Sequence, residues 1–188
     1  MINIKNYFKT LVDISDEDSD LFISKLNEKE FRKKSLILEM GKQENFLSFV
    51  EEGIIRFNIP KEDYDFTFGF VFPGSFASGY DSFLSRQPSV YNIEAVTDCI
   101  LWQISYDDLR FIYDKTTIGE KIGRLIAEDL YIKKMKRELS LLQDNAQKKY
   151  EDLLKQQPHL IQNIPLKYIA SYIGIRPQSL SRIRKQIK

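Results

Sequence analysis

Gln178 and Arg182 stand one helical turn apart in the stretch Arg176-Pro-Gln-Ser-Leu-Ser-Arg-Ile-Arg-Lys. A carboxamide and a guanidinium can each make paired hydrogen bonds to the edge of a base in the major groove, Gln to adenine and Arg to O6 and N7 of guanine. Around them, Ser179, Ser181, Arg184 and Lys185 are hydroxyl and cationic donors suited to phosphate oxygens, contacts that fix register without reading bases. Residues 153–188 hold seven lysines and arginines and no acid, whereas residues 1–152 hold twenty-one basic and twenty-seven acidic residues. The formal net charge of +1 therefore divides into −6 and +7, and this polarity calls for a polyanionic partner at one end of the chain only.

Reading a groove requires these side chains to share one face of a helix. At 3.6 residues per turn, Leu180, Ile183 and Ile187 fall on one side while Gln178, Arg182 and Lys185 fall on the other. Pro177 suits a first helical position, where its missing N–H costs nothing. Gly174 can end a preceding helix over 166–173 in a left-handed conformation. Helix, glycine-containing turn and a second helix over 177–187 make a helix-turn-helix. A basic hairpin of helices used only for packing or protein contact is the competing reading, and it leaves the coincidence of apolar spacing, glycine turn, proline start and outward Gln and Arg without a cause.

The other 150 or so residues must support that element, since domains typically run about 100–150 residues. With 43% hydrophobic and 13% aromatic content over 188 residues, one substantial core and one small one can form, and two unequal domains are expected. The N-terminus lacks the basic and apolar pattern of a secretion signal, and no run approaches about 18 apolar residues, so a soluble cytoplasmic protein with no membrane partner is expected. Cys99 is the single cysteine, which excludes an intrachain disulfide, a thiolate zinc finger and a four-cysteine cluster; it reads as a buried apolar residue. The single histidine, His159, follows Pro158 and reads as a surface or domain-packing residue rather than a haem ligand. No metal or cofactor is implied. A cupin-like enzyme would need several convergent histidines and carboxylates, and neither a phosphate loop nor a nucleophile–base set is visible, so no enzymatic activity is expected.

Residues 1–30 have helical spacing, with Leu21, Phe22 and Leu26 on one side and Asp16, Glu17 and Asp18 near a helix start. From 36 to 104 short apolar runs at 36–38, 46–50, 54–59, 64–72, 90–96 and 100–104 alternate with turns, the pattern of an antiparallel roll or sandwich. Gly53 lies between two such runs where a hairpin needs positive φ, and Ile55, Phe57 and Ile59 define one face of a half-buried strand, as do Tyr91, Ile93 and Ala95. Ser105 with Asp108 resembles a capping box opening a short helix to about 114. Over 117–142, Ile118, Ile122, Leu125, Ile126, Ile132, Met135, Leu139 and Leu142 recur at three- and four-residue steps. About 26 residues make roughly 39 Å of helix, which either covers the chain's own roll or forms a two-helix dimer seam interrupted by Asp129 and Lys136. Asp144-Asn145 offers a break, and 147–157 reads as a further helix ending before Pro158.

The run Pro165-Leu-Lys-Tyr-Ile-Ala-Ser-Tyr-Ile-Gly followed by Pro177-Gln-Ser-Leu-Ser-Arg-Ile-Arg-Lys, with Gly53-Ile-Ile-Arg56 and Phe72-Pro-Gly-Ser-Phe76 upstream, resembles the Crp/Fnr family of bacterial transcription regulators over essentially the whole chain. The branch common in Bacteroidota is the nearest in pattern. The resemblance implies an α+β fold: an N-terminal antiparallel β-roll like a cyclic-nucleotide-binding domain at 1–115, a long dimerisation helix at 116–143 and an all-α helix-turn-helix domain at 144–188. It implies a homodimer on a palindromic double-stranded DNA operator, a small-molecule effector at the roll, and RNA polymerase as a further partner.

Cyclic-nucleotide binders of this family place Gly-Glu-Leu shortly after the Pro-Gly turn, the Glu taking the ribose hydroxyl, and an Arg-Ser or similar pair further on for the cyclic phosphate. Here the first segment aligns as Ser78-Gly79-Tyr80 and the second as Ser89-Val90. The acid and the arginine are both missing, and a buried phosphate without a charged partner is costly, so cyclic AMP is not the expected effector. Arg86 is the nearest cation in sequence and takes the place of that arginine if the loop register differs, which makes it a further candidate for the effector pocket. Ser78, Tyr80, Ser82, Ser89 and Tyr91 either line a polar effector pocket, with Gly79 and Val90 in its wall, or fill a vestigial cavity. The recognition helix closes the sequence at Lys188, so docking on DNA is expected to lean on the long helix and on residues 145–165. The alternative function is a ligand-binding or protein-interaction module of the same fold with no DNA-regulatory role.

Overall fold

The computed structural model describes residues 4, 6–7, 14–62, 64–116, 119–156 and 158–187. Ile118 and the side chain of His159 lie outside the described residues. Ser15 caps helix α1 (Asp16–Ser24) by accepting the Asp18 N–H at 3.1 Å, and the three acids of its first turn face the positive end of the helix dipole. Helical spacing expected through residue 30 stops earlier than that. Asn27–Phe31 is a strand, β1, paired antiparallel with β8 (Cys99–Ser105). Four of its five residues are exposed, so no apolar alternation announces it; the ladder to β8 makes it a strand where local propensity is silent.

The remaining strands are β2 (Leu36–Leu38), β3 (Phe46–Glu52), β4 (Ile55–Pro60), β5 (Asp65–Val71), β6 (Phe76–Ala77) and β7 (Asn92–Ala95). With β1 and β8 they form two four-stranded sheets, ordered β1-β8-β3-β6 and β2-β7-β4-β5. A shared core of Leu38, Val50, Ile55, Ala77, Ile93, Ala95, Cys99 and Leu101 draws on both sheets. Of the two architectures that the strand spacing allowed, roll or sandwich, this is the antiparallel roll that the family resemblance implied.

Two local expectations change. Gly53 does take positive φ, +89°, but the strands on either side of it belong to different sheets, so the turn hands the chain from one sheet to the other and closes no hairpin. A Cβ there would lie 2.3 Å from the Asp98 carbonyl oxygen and 2.6 Å from Cys99 Sγ, so glycine is required for space as well as conformation. In β4 the expected half-burial fails because Arg56 and Asn58, on the face opposite Ile55, are each only 2% exposed. Arg56 is tolerated there because Glu94 of β7 accepts from its Nη2 at 2.7 Å and its Nε at 3.2 Å.

Helix α2 (Tyr80–Ser85) follows β6, and α3 (Tyr106–Lys115) follows β8. Ser105 accepts the Asp108 N–H at 3.1 Å and donates to its carboxylate at 2.7 Å, the expected cap. The Ser105 hydroxyl and then Lys25 hold the Asp108 carboxyl below its ordinary value. The long helix α4 (Gly119–Gln143) ends at the expected break, where the Asn145 side chain accepts the Lys148 N–H at 2.9 Å and opens α5 (Ala146–Gln156). Pro158 does more than end that helix: it begins a short one, α6 (Pro158–Asn163), at the position where its missing N–H is harmless. Then come α7 (Leu166–Ile173) and α8 (Pro177–Gln186).

The chain divides into two compact units, Met1–Phe57 with Phe70–Asp129, and Asn58–Gly69 with Leu130–Lys188. Among the described residues no helix is long and apolar enough to cross a membrane, and no group of three or more His, Cys, Asp or Glu side chains is placed to hold a metal.

Candidate nucleic-acid interface and sensor segment

The rotation of α8 decides what it can present. Leu180 is fully buried, Ile183 and Ile187 are half-buried, and Gln178, Ser179, Ser181, Arg182, Arg184 and Lys185 are all exposed. The helix before it ends as expected: Gly174 has φ +86°, and its N–H reaches the carbonyls of Ala170 and Ser171 at 3.0 Å each. Among the described residues, Ile169, Ala170 and Ile173 of α7, Leu180 of α8, Ile164, and Tyr150 and Leu153 of α5 supply the buried apolar side chains of this unit. A small core thus anchors one side of α8 and leaves the Gln178–Arg182 side unobstructed.

Within the group expected to meet phosphates, Ser181 donates to the Pro177 carbonyl at 3.0 Å, so a phosphate contact as donor requires that proton to turn outward. Ser181, Arg184 and Lys185 also line an open hollow of about 390 Å³ with Tyr150, Leu154 and Ile187. Arg184 and Lys185 lie in the last turn of α8, where cations also complement the helix dipole.

Three further side chains position α7, and the sequence reading passed over them. Ser171 donates to the Asp65 carbonyl at 2.5 Å and accepts the Thr67 N–H at 2.8 Å, tying α7 to the segment 58–69 of its own unit. Arg137 of α4 lies 3.6 Å over the Tyr172 ring and donates to the Tyr172 carbonyl. These contacts tie the first helix of the pair to the segment 58–69 and to α4.

The segment expected to meet an effector is engaged with its own protein. Ser78 Oγ donates to the Phe46 carbonyl at 2.9 Å, Ser82 Oγ to that of Gln87, and Ser89 Oγ to that of Tyr91 at 2.8 Å. The Tyr91 hydroxyl donates to Asp81, and burial followed by that carboxylate pushes it far above its ordinary value. Burial also raises Tyr80, whose ring stacks on Phe83 at 6.1 Å. Arg86, with φ +59°, donates to the carbonyls of Glu44 at 3.1 Å and Phe83 at 3.2 Å and to Asn45 Oδ1 at 2.8 Å, and it sits 4.4 Å over the Tyr106 ring. Val90 is 68% exposed. Gly79 donates its N–H at 3.1 Å to Glu44, a buried acid that nothing in the spacing of the sequence singles out. Burial pushes the Glu44 carboxyl up, opposed by the N–H donors of Gly79, Phe46 and Asn45 and by Arg86.

Residues 28–116 match the family of cyclic nucleotide-binding domains. No curated protein matches the chain. Solved structures share its fold along most of its length. FixK2 from Bradyrhizobium japonicum aligns at a TM-score of 0.74 and 16% identity, covering 86% of this chain and 84% of that one. A regulator of the Crp/Fnr family from Eubacterium rectale aligns at 0.71 and 18% identity, covering 97% and 87%. The global regulator CLP from Xanthomonas campestris, described as c-di-GMP responsive, aligns at 0.67 and 14% identity, covering 92% and 91%. At these identities the likeness establishes the fold: a roll, a long helix and C-terminal helices in the order found in Crp/Fnr regulators.

Proposed function

We propose that this chain, whose residues 28–116 match the cyclic nucleotide-binding domain family, works as a homodimeric, sequence-specific DNA-binding transcription regulator of the Crp/Fnr type. The observation that carries the reading is α8 itself. Leu180 is fully buried while Gln178 and Arg182 stand exposed one turn apart, next to the exposed cations Arg184 and Lys185. Gln178 and Arg182 read bases; Ser179, Ser181, Arg184 and Lys185 hold phosphates.

The dimer rests on α4. Its second half exposes Tyr131 (65%), Ile132 (50%), Leu139 (45%) and Leu142 (78%), and Ile132, Met135, Leu139 and Leu142 follow the three-and-four spacing of a coiled-coil seam. Leu139→Lys together with Leu142→Lys should turn a dimer into a monomer in analytical ultracentrifugation. It should also weaken binding to a two-half-site duplex at least tenfold while leaving the helices folded. A wild-type chain that sediments as a monomer at tens of micromolar would contradict the seam.

Two recognition helices about 34 Å apart enter successive major grooves, so the operator is an inverted repeat. Selection from random duplexes tests this by whether an inverted repeat is recovered. Cyclic AMP is not the effector of the roll: the aligned positions Ser78-Gly79-Tyr80 and Ser89-Val90 carry neither the acid for the ribose nor the arginine for the phosphate, and Asp81 and Arg86 nearby are engaged with Tyr91 and with Glu44, Phe83 and Asn45. The effector that acts on the roll is of another kind, and RNA polymerase is the further partner that regulators of this type engage.

A further inference from the structure

Glu44 is 6% exposed, and its carboxylate collects three backbone N–H groups from two separate segments: Asn45 and Phe46 at 3.0 Å each on Oε1, and Gly79 at 3.1 Å on Oε2. Convergent backbone N–H groups are what a protein offers to an anion, and here the anion is part of the chain. The residue is held on its backbone too. Its N–H donates to Ser82 Oγ at 3.0 Å, and its carbonyl accepts from Arg86 at 3.1 Å. A Cβ built on Gly79 would lie 2.6 Å from Leu38 Cδ2 and 3.5 Å from Glu44 Cβ. Gly79 is therefore pressed against these two side chains, with no room for a ligand atom between them.

We infer that Glu44 is a specificity-determining residue of the roll: its carboxylate occupies the N–H donors of Gly79, Asn45 and Phe46 and closes this part of the roll to anionic effectors, so that an effector acting here is neutral or cationic. The inference deepens the proposed function and rests on its reading of the roll as the effector-responsive part. An incoming phosphate would find those donors taken and a carboxylate beside it. Two unit charges about 5 Å apart at an effective dielectric of about 20 weaken binding by about two orders of magnitude.

The test uses the full chain with cyclic AMP, cyclic GMP and inorganic phosphate as probes. In wild type the Gly79 amide resonance should not move with any of the three up to millimolar concentration. Glu44→Ala, which empties the donor set, should bind at least one of them 100-fold or more tighter than wild type by calorimetry, with a matching rise in its unfolding midpoint. Wild-type Gly79 shifting with micromolar cyclic AMP would overturn the inference whether or not the variant folds, and so would a folded Glu44→Ala protein that answers none of the three anions. Failure of the DNA-binding reading would appear separately, as loss of operator preference in an assay that contains none of these probes.

Discussion

Replacing Gln178 and Arg182 together by alanine is expected to lower the preference for the operator over unrelated duplex by about 30-fold or more, since each paired base contact is worth about 1–3 kcal/mol. Both side chains are exposed, and Leu180, which is fully buried, keeps α8 in place without them. The loss is therefore one of contacts, and the unfolding midpoint should not move. Nonspecific binding should persist, because Arg176, Arg184 and Lys185 remain as exposed cations on or beside α8. Lys185→Ala is the contrasting case: it should weaken all sequences alike and reduce the salt slope by about one. Competition gel shifts at several salt concentrations separate the two behaviours.

The second large effect concerns stability. Arg56 is 2% exposed, and Glu94, whose side chain is 12% exposed, is its partner at 2.7 Å. Arg56→Ala would leave that carboxylate in the roll without its cation, and breaking a buried pair from one side costs about 3–5 kcal/mol. For a chain of this size, 1 kcal/mol corresponds to roughly 2–4 °C, so the roll's unfolding midpoint should fall by roughly 10 °C. Replacing both partners by apolar residues of similar volume, Arg56→Met with Glu94→Leu, should recover most of the loss, because the uncompensated charge is gone. A single Arg56→Ala that unfolds within 2 °C of wild type would show that the pair contributes little.

What the sequence disclosed follows from how local each determinant is. The helix pair at 166–187 was legible because four local signals coincide there: apolar residues every three or four positions, Gly174, Pro177, and Gln178 with Arg182 on the remaining face. An antiparallel roll or sandwich was legible from the strand spacing, and the family resemblance selected the roll. Strand β1 was hidden, since Asn27-Glu-Lys-Glu carries no alternation and becomes a strand only beside β8. The burial of Arg56 was hidden, because period-two patterning marks Ile55, Phe57 and Ile59 as one face and cannot show that the other face is covered as well. The bonds from Ser171 to Asp65 and Thr67 join residues more than a hundred positions apart, and no local pattern encodes them. Glu44 was invisible for the same reason: the family pattern expects an acid at position 79, where Gly79 stands, whereas the acid that meets Gly79 comes from thirty-five residues upstream.

The central claim is that α8 reads sequence. It is tested most directly by the ratio of wild-type affinities for a duplex recovered by selection and for the same duplex scrambled, both at one physiological salt concentration. A sequence reader is expected to bind the selected inverted repeat about 1,000-fold or more tightly than the scrambled one. Equal affinities, falling together as salt rises, would contradict the claim and leave a basic surface that binds any polyanion.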